Sequence, residues 1–381
     1  MNTTLTQGQT QKRPPRKKSQ AHTGIQPISS LTHRTQRFQP LPAPLGEPPY
    51  HFDLENVLPG ITKKAKADGK LVFHTVGDTG GIKNADYQSD VAKAMKTAIN
   101  GENAPSFFYH LGDVVYYNGE IDKYYDQFYE PYDHYAAPIL AIAGNHDGDP
   151  IDDTQTSLDG WVKYFMTATP HVDPISKDAP RVTLSLPNVY YTLICPYVTI
   201  IGMYTNVPEH GSIDSVQQQW LTNEFNTADK SKALIIALHH PIYSFDDHHS
   251  GSAAMADVLQ HAINDTGRVP NMVLTAHVHN IQRIEKEIVK GTPTPFLVAG
   301  NGGYYHLHNL TANAGDVDEN TGAVLKYGND KEHGYVTLTV DAKQIKGVVT
   351  LVDKFGAITE TDTFEYSASP LTLDKKIIAN L

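Results

Sequence analysis

Leu71-Val72-Phe73-His74-Thr75-Val76-Gly77-Asp78-Thr79-Gly80-Gly81 decides the reading of this 381-residue chain. Its first six residues are mostly apolar and show neither helical spacing nor alternation, which predicts a strand covered on both faces. The run breaks at once into an acidic residue among glycines. Working outward, Ala85–Asn100 places Val91, Ala92, Met95 and Ile99 at helical spacing, which gives one face to bury. Phe107–Leu111 reads as a second strand, Ile121–Tyr129 as a helix and Ile139–Ala143 as a third strand. Strands alternating with helices in this way build a parallel sheet with helical crossovers, an α/β chain.

Beyond residue 148 the pattern loosens. Residues 148–180 read as a loop-rich insertion with one short helix near Leu158–Met166. Val182–Leu184, Val189–Ile194 and Val198–Gly202 suit antiparallel strands, Ile213–Asn226 a helix, Leu234–Leu238 a strand, Ala253–Ile263 a helix and Met272–Thr275 a strand. The end turns all-β, over Ile281–Ile288, Phe296–Ala299, Tyr335–Val340, Gly347–Val352 and Ala357–Phe364. No internal repeat is visible.

Sites in open α/β sheets form beyond the carboxyl ends of strands, and here five strand ends deliver polar side chains. They are Gly77-Asp78-Thr79-Gly80, Gly112-Asp113-Val114-Val115-Tyr116, Gly144-Asn145-His146-Asp147, His239-His240-Pro241 and Ala276-His277-Val278-His279. Each has a plainer reading alone. Asp78, Asp113 and Asn145 suit turns or helix caps, His277 and His279 can share one strand face, and Tyr116 can be a half-buried aromatic. Turn chemistry does not explain all five at once. Carboxylates, an amide and imidazoles together are the donor set of iron, manganese or zinc, and one carboxylate can bridge two ions.

Composition narrows the classes. The formal charge is −11 but uneven: residues 1–48 hold Lys12, Arg13, Arg16, Lys17, Lys18, Arg34 and Arg37 against Glu47 alone, leaving 24 basic against 41 acidic residues in the remainder. An acidic body argues against a surface that coats nucleic acid. No apolar run is long enough for a membrane span. The single cysteine, Cys195, excludes an intrachain disulfide and a thiolate cage, and reads as a buried apolar residue. The Pro- and Gln-rich segment 1–48 reads as a flexible basic tail, with Pro40, Pro42, Pro44, Pro48 and Pro49 as a spacer into the fold. No secretory signal is visible at the N-terminus, so a cytoplasmic location is the default expectation, with non-classical export as the other route.

The five blocks, in this order, resemble those of calcineurin-like metallophosphoesterases, and more narrowly the purple acid phosphatase branch. Gly80 stands where most of the superfamily places a histidine ligand, and Tyr116 follows its aspartate by three residues. The resemblance implies a four-layer α/β/β/α sandwich of two mixed sheets with C-terminal antiparallel strands, here as one catalytic domain over 49–381. It implies two metal ions, iron plus a divalent ion (iron, zinc or manganese). Asp78, Tyr116 and His279 would bind the ferric-type ion, Asp113 would bridge, and Asn145, His239 and His277 would bind the divalent ion. It further implies that His146, His248 and His249 contact the phosphate or leaving group, and that Asp147 orients His146 by accepting its ring proton. The expected activity is hydrolysis of a phosphate-ester substrate, as a phosphomonoesterase of acid-phosphatase type. The rival readings are a phosphodiesterase acting on nucleotide or lipid head-group diesters, a protein phosphatase using Arg283, and a non-catalytic metal-binding interaction protein. The metal pair and the oligomeric state are open. Ala276 replaces the usual glycine of the last block. The loop Ala299-Gly300-Asn301-Gly302-Gly303-Tyr304-Tyr305-His306 reads either as a pocket wall or as a tight turn away from substrate, and the tyrosines 117, 124, 125, 129, 132 and 135 read as packing.

Overall fold

The run Leu71–Val76 (β1) is buried at every position, as its unbroken pattern requires. In the computed structural model, which describes residues 37–101, 103–373 and 379–381, it lies parallel to Phe107–His110 (β2), and that strand lies parallel to Ile139–Ala141 (β3). Val76 pairs with His110, and His110 with Ala141, so the three strands end level with one another. On its other side β1 runs antiparallel to His333–Val340, which continues through Gln344–Val352 to Ile358–Ser367. This completes a six-stranded mixed sheet.

A second, eight-stranded sheet follows the order His51–Asp53, Tyr191–Ile194, Val198–Gly202, Ala233–Ala237 (β4), Met272–Thr275 (β5), Thr292–Ala299, Ile281–Val289 and Val324–Asn329. At its centre β4 and β5 are parallel, with Ala237 opposite Leu274, so they too end together. The sheets pack face to face. Tyr191 of one donates its hydroxyl to the Ala141 carbonyl of the other at 3.1 Å. A Cβ at Gly202 would collide with the Tyr109 hydroxyl and lie 2.8 Å from Ile142 Cγ2. Helices cover the outer faces. Asp86–Ala98 lies along His333–Val340 and Gln344–Val352, while Ser215–Thr227 packs on Ala253–Thr266. Asp214 caps the second of these helices through the Gln217 N–H, and Ser252 caps the third through the Met255 N–H. The result is the four-layer α/β/β/α arrangement.

Several expectations shift. Ile121–Tyr129 is not one helix but a 3-10 turn, Ile121–Lys123, followed by a wider π turn, Tyr125–Tyr129. The insertion does hold its short helix, Asp159–Phe165. Tyr164 packs on Tyr124 (ring centroids 4.4 Å) and Phe165 on Phe128 (5.4 Å), so the tyrosine-rich stretch is packing. Val182–Leu184 forms no strand, because its backbone bonds to the insertion: Thr183 N–H to His171 O and Leu184 N–H to Tyr164 O. The helix Ile61–Asp68 and the strands His51–Asp53 and Val324–Asn329 are additions the sequence did not announce. The basic cluster of the tail lies outside the described residues. Part of the spacer is bonded to the body: Gln39 exchanges hydrogen bonds with the Asn206 side chain, and the Leu45 and Gly46 N–H groups share the Pro187 carbonyl. Cys195 is buried. Among the described residues, no helix is long and apolar enough to cross a membrane.

Candidate metal centre

Beyond the ends of β1 to β5 the chain turns sharply, and three of the turning residues are not glycine. Asp78 (φ 54°), Asp113 (φ 54°) and His277 (φ 65°) adopt the left-handed conformation, a strain that surrounding structure must hold in place. Here interlocked backbone bonds hold it. Asp78 N–H donates to Gly112 O at 3.0 Å, Gly77 N–H to Ala299 O at 2.8 Å, and Tyr304 N–H to Asp78 O at 2.9 Å. Small residues permit the crowding. A Cβ at Gly77 would lie 2.6 Å from Ala276 Cβ, so Ala276 is accommodated because its neighbour across the seam is glycine.

The side chains converge into two touching groups. Tyr116 Oη lies 2.9 Å from Asp78 Oδ1 and 3.2 Å from His279 Nε2. His239 Nε2 and His277 Nδ1 lie 3.1 and 3.0 Å from Asn145 Oδ1. His239 Nε2 also lies 3.4 Å from Asp113 Oδ2 and 4.0 Å from Asp78 Oδ1, so Asp113 stands where the groups meet. All seven sequence-predicted donors are buried and come together. Four issue from the six-stranded sheet and three, His239, His277 and His279, from the eight-stranded one.

The electrostatics suit cations. Burial, then the charge of Asp113, push the Asp78 carboxyl well above its ordinary range, with His239 opposing. Burial also acts upward on Asp113, but His239 and His146 outweigh it and hold that carboxyl low. His239 is correspondingly raised to about 9, the Asp113 charge overcoming desolvation. Burial pushes His277 and His279 down, so both are neutral imidazoles with lone pairs to give. The Tyr116 phenol is raised by burial and by Asp113 and Asp78, a penalty on the phenolate that a bound cation would reverse. Asp113 Oδ2 and His277 Nε2 are buried without a hydrogen-bond partner among the described residues. A donor set of carboxylate, phenol, amide and imidazole with such orphaned atoms fits metal ions.

Position 80 explains the tyrosine. A Cβ there would collide with Gln127 Oε1 and lie 2.7 Å from Tyr116 Cδ2. A histidine at 80 and a tyrosine at 116 compete for one space, and this chain has taken the tyrosine.

Around the centre, His146 sits with its ring 4.5 Å from that of Tyr116, and His249 with its ring 4.4 Å from His277. His248, exposed, is 4.7 Å from His249. The role expected of Asp147 is corrected. His146 Nδ1 faces the Tyr117 carbonyl at 2.8 Å, so a backbone oxygen orients that ring. Asp147 instead accepts N–H bonds from Gly144, Val114 and Val115, tying the second strand end to the third. Burial and the Asp113 charge raise its carboxyl to about 7 against those three donors. Arg283 is committed elsewhere, to Asp362 at 2.7 Å and Tyr366 at 2.9 Å. The loop after Thr292–Ala299 buttresses the site: the Tyr304 ring lies 4.5 Å from Tyr116 and 4.2 Å from His279, while His306 is exposed. Sequence reasoning missed His240, Glu209 and His308. His240 bonds Thr205 at 2.7 Å and its ring lies tilted, 4.4 Å from that of His277; Glu209 contacts His249 Nδ1; the His308 ring is 4.5 Å from His279. His308 could have been found from the alternation His306-Leu307-His308 just past a strand end.

No curated protein matches the sequence. Among solved structures, the purple acid phosphatase PPD1 from yellow lupin (Lupinus luteus) seeds is similar at TM-score 0.58 and 18% identity, covering 78% of this chain and 54% of its own. This chain thus spans about half the length of that protein. GAP50, the anchor in the inner membrane complex of Plasmodium, is similar at TM-score 0.54 and 16% identity, covering 81% of this chain and 92% of its own. PhoD is similar at 0.52 and 15%, covering 88% and 73%. At these identities the fold is what is shared. The model of the calcineurin-like phosphoesterase family matches residues 71–280, more than half of the chain and the span that contains all five strand-end blocks. The motif order, the paired sheets and the buried donors at their seam agree with that match: this chain belongs to the calcineurin-like phosphoesterase family.

Proposed function

We propose that the protein hydrolyses phosphate monoesters at a dinuclear centre of purple acid phosphatase type. The observation that carries this is the meeting of seven donors in two groups at Asp113, with three further histidines beside them. Asp78, Tyr116 and His279 would hold a ferric ion, Asn145, His239 and His277 a divalent one (iron, zinc or manganese), and Asp113 both. Two such ions would supply Lewis-acid chemistry, lowering the pKa of water toward ~7 and neutralising phosphate charge.

The chain's own residues do the rest. A monoester presents more charged oxygens than a diester, and the neighbouring His146, His248 and His249 are the donors for them. His146 is fixed by the Tyr117 carbonyl, so its Nε2 is the nitrogen that faces substrate. His249 has the Glu209 carboxylate at Nδ1, which orients the ring and lets Nε2 hold a proton for the leaving oxygen. Asp147 is a positioning residue, acting through the backbone that carries Asp113 and Asn145.

The test is metal analysis with a visible spectrum, paired with assays on mono- and diesters. Two metals per chain including iron, a broad tyrosinate charge-transfer band and faster monoester turnover are expected. Two metals with no colour and faster diester turnover would favour the phosphodiesterase. Metal without hydrolysis of either ester would favour a binding role, as the word anchor denotes for the Plasmodium neighbour. His249→Ala is expected to slow esters with poor leaving groups by ~10²-fold or more and nitrophenyl esters far less; equal losses on both would refute its proton-donor role.

A further inference from the structure

Beside the seven donors the fold gathers a second set of imidazoles. His248, His249 and His308 each offer a ring nitrogen, and these nitrogens lie within 4.8 Å of one another. The ring centroids are 4.7 Å apart for His248 and His249, 4.6 Å for His248 and His308, and 5.1 Å for His249 and His308. The backbone under them is fixed. His308 N–H donates to His279 O at 3.0 Å, and its carbonyl accepts from Asn280 Nδ2 at 3.3 Å. Asp246 Oδ1 accepts the N–H groups of both His248 and His249, at 2.9 and 2.8 Å.

Carboxylates stand behind two of the three rings. Glu209 contacts His249 Nδ1, and Asp246 Oδ1 lies 3.5 Å from His308 Nδ1. At His249 the Glu209 carboxylate fixes the orientation of the ring through Nδ1, which is how metal-binding histidines are supported. Substrate binding by His248 and His249 does not require His308, which is 5% exposed and makes no hydrogen bond through Nδ1. Three converging imidazole nitrogens, one ring held by a carboxylate and one with a buried nitrogen lacking a hydrogen-bond partner among the described residues, match the donor set of a tetrahedral cation of zinc type.

We infer that His248, His249 and His308 bind a third divalent cation, distinct from the two of the proposed centre, and that its binding closes the substrate site. The second half rests on the proposed function, because it takes His248 and His249 away from the phosphate. The site makes the enzyme self-limiting in excess metal.

The test titrates the chelated full-length protein with Zn²⁺ by equilibrium dialysis and follows hydrolysis in parallel. The wild type is expected to take up three ions, with KM rising as the third binds. His308→Asn is expected to take up two and to need at least ~10-fold more zinc for inhibition. His248→Asn, at an exposed position, is the second variant and should also take up two ions whatever its turnover. Wild-type uptake of only two ions overturns this inference and spares the dinuclear reading, whereas uptake of one or none overturns both. Three ions in the wild type and in both variants also overturn it.

Discussion

The phenol of Tyr116 lies over the space that a side chain at position 80 would need, so these two positions are one choice. Tyr116→Phe keeps the ring packing against Tyr304 and His146 and removes only the oxygen beside Asp78 and His279. It is expected to fold, to lose the visible band and to lose at least ~10-fold in iron affinity, a loss already typical of an outer-shell change. Spectroscopy with iron analysis decides it; an unchanged band would remove Tyr116 from the centre. Gly144 is a second such position, since a Cβ there would strike Asp113 Oδ1. Gly144→Ala should lower uptake of both ions together, because the displaced carboxylate is the one they share, and metal analysis of the folded variant reads this. At this scale the sequence was most legible. A polar residue after an apolar run shows without knowledge of tertiary structure, whereas Glu209 acquires meaning only from what folds against it.

Elements were legible where a side-chain pattern had to match a buried face. Leu71–Val76 and Met272–Thr275 are buried throughout and were placed to the residue. Ile61–Asp68 buries only Ile61 and Ala65, too few for an apolar stripe, and its signals were the glycines at its two ends. Val324–Asn329 buries only Leu325, so nothing in its sequence marks it as a strand. Arg283 shows an element doing a different task from the one its position suggested. From the strand Ile281–Val289 in one sheet it holds Asp362 and Tyr366 on Ile358–Ser367 in the other. Arg283→Met is expected to cost ~2–4 kcal/mol by leaving Asp362 unpaired. That would appear as a lower denaturation midpoint with turnover of the folded protein unchanged, and a loss of turnover without loss of stability would return Arg283 to the site.

For the whole molecule, acid is the vulnerable direction. Burial depresses both His74 and His110 to about 3. Below their unfolded value of ~6.5 the unfolded chain binds protons that the folded chain does not, so stability falls with pH between about 6.5 and 3. Each group contributes a slope of ~1.4 kcal/mol per pH unit inside that window. His74→Gln is expected to flatten the decline between pH 6.5 and 4, as measured by denaturant titration, and an unchanged slope would show that another group drives it.

The donors issue from both sheets and meet at the seam, four from one side and three from the other. An ion held there is a rivet through two plates that otherwise meet only through packing and a few cross-links such as Arg283. Filling it at a hundredfold over its dissociation constant adds ~2.7 kcal/mol to folding. Chelation should therefore lower the melting temperature and speed amide hydrogen exchange first at residues 77–80, 112–116 and 276–279, with the outer strands following later. Loss of metal would be felt as a parting of the two halves before any loss of secondary structure.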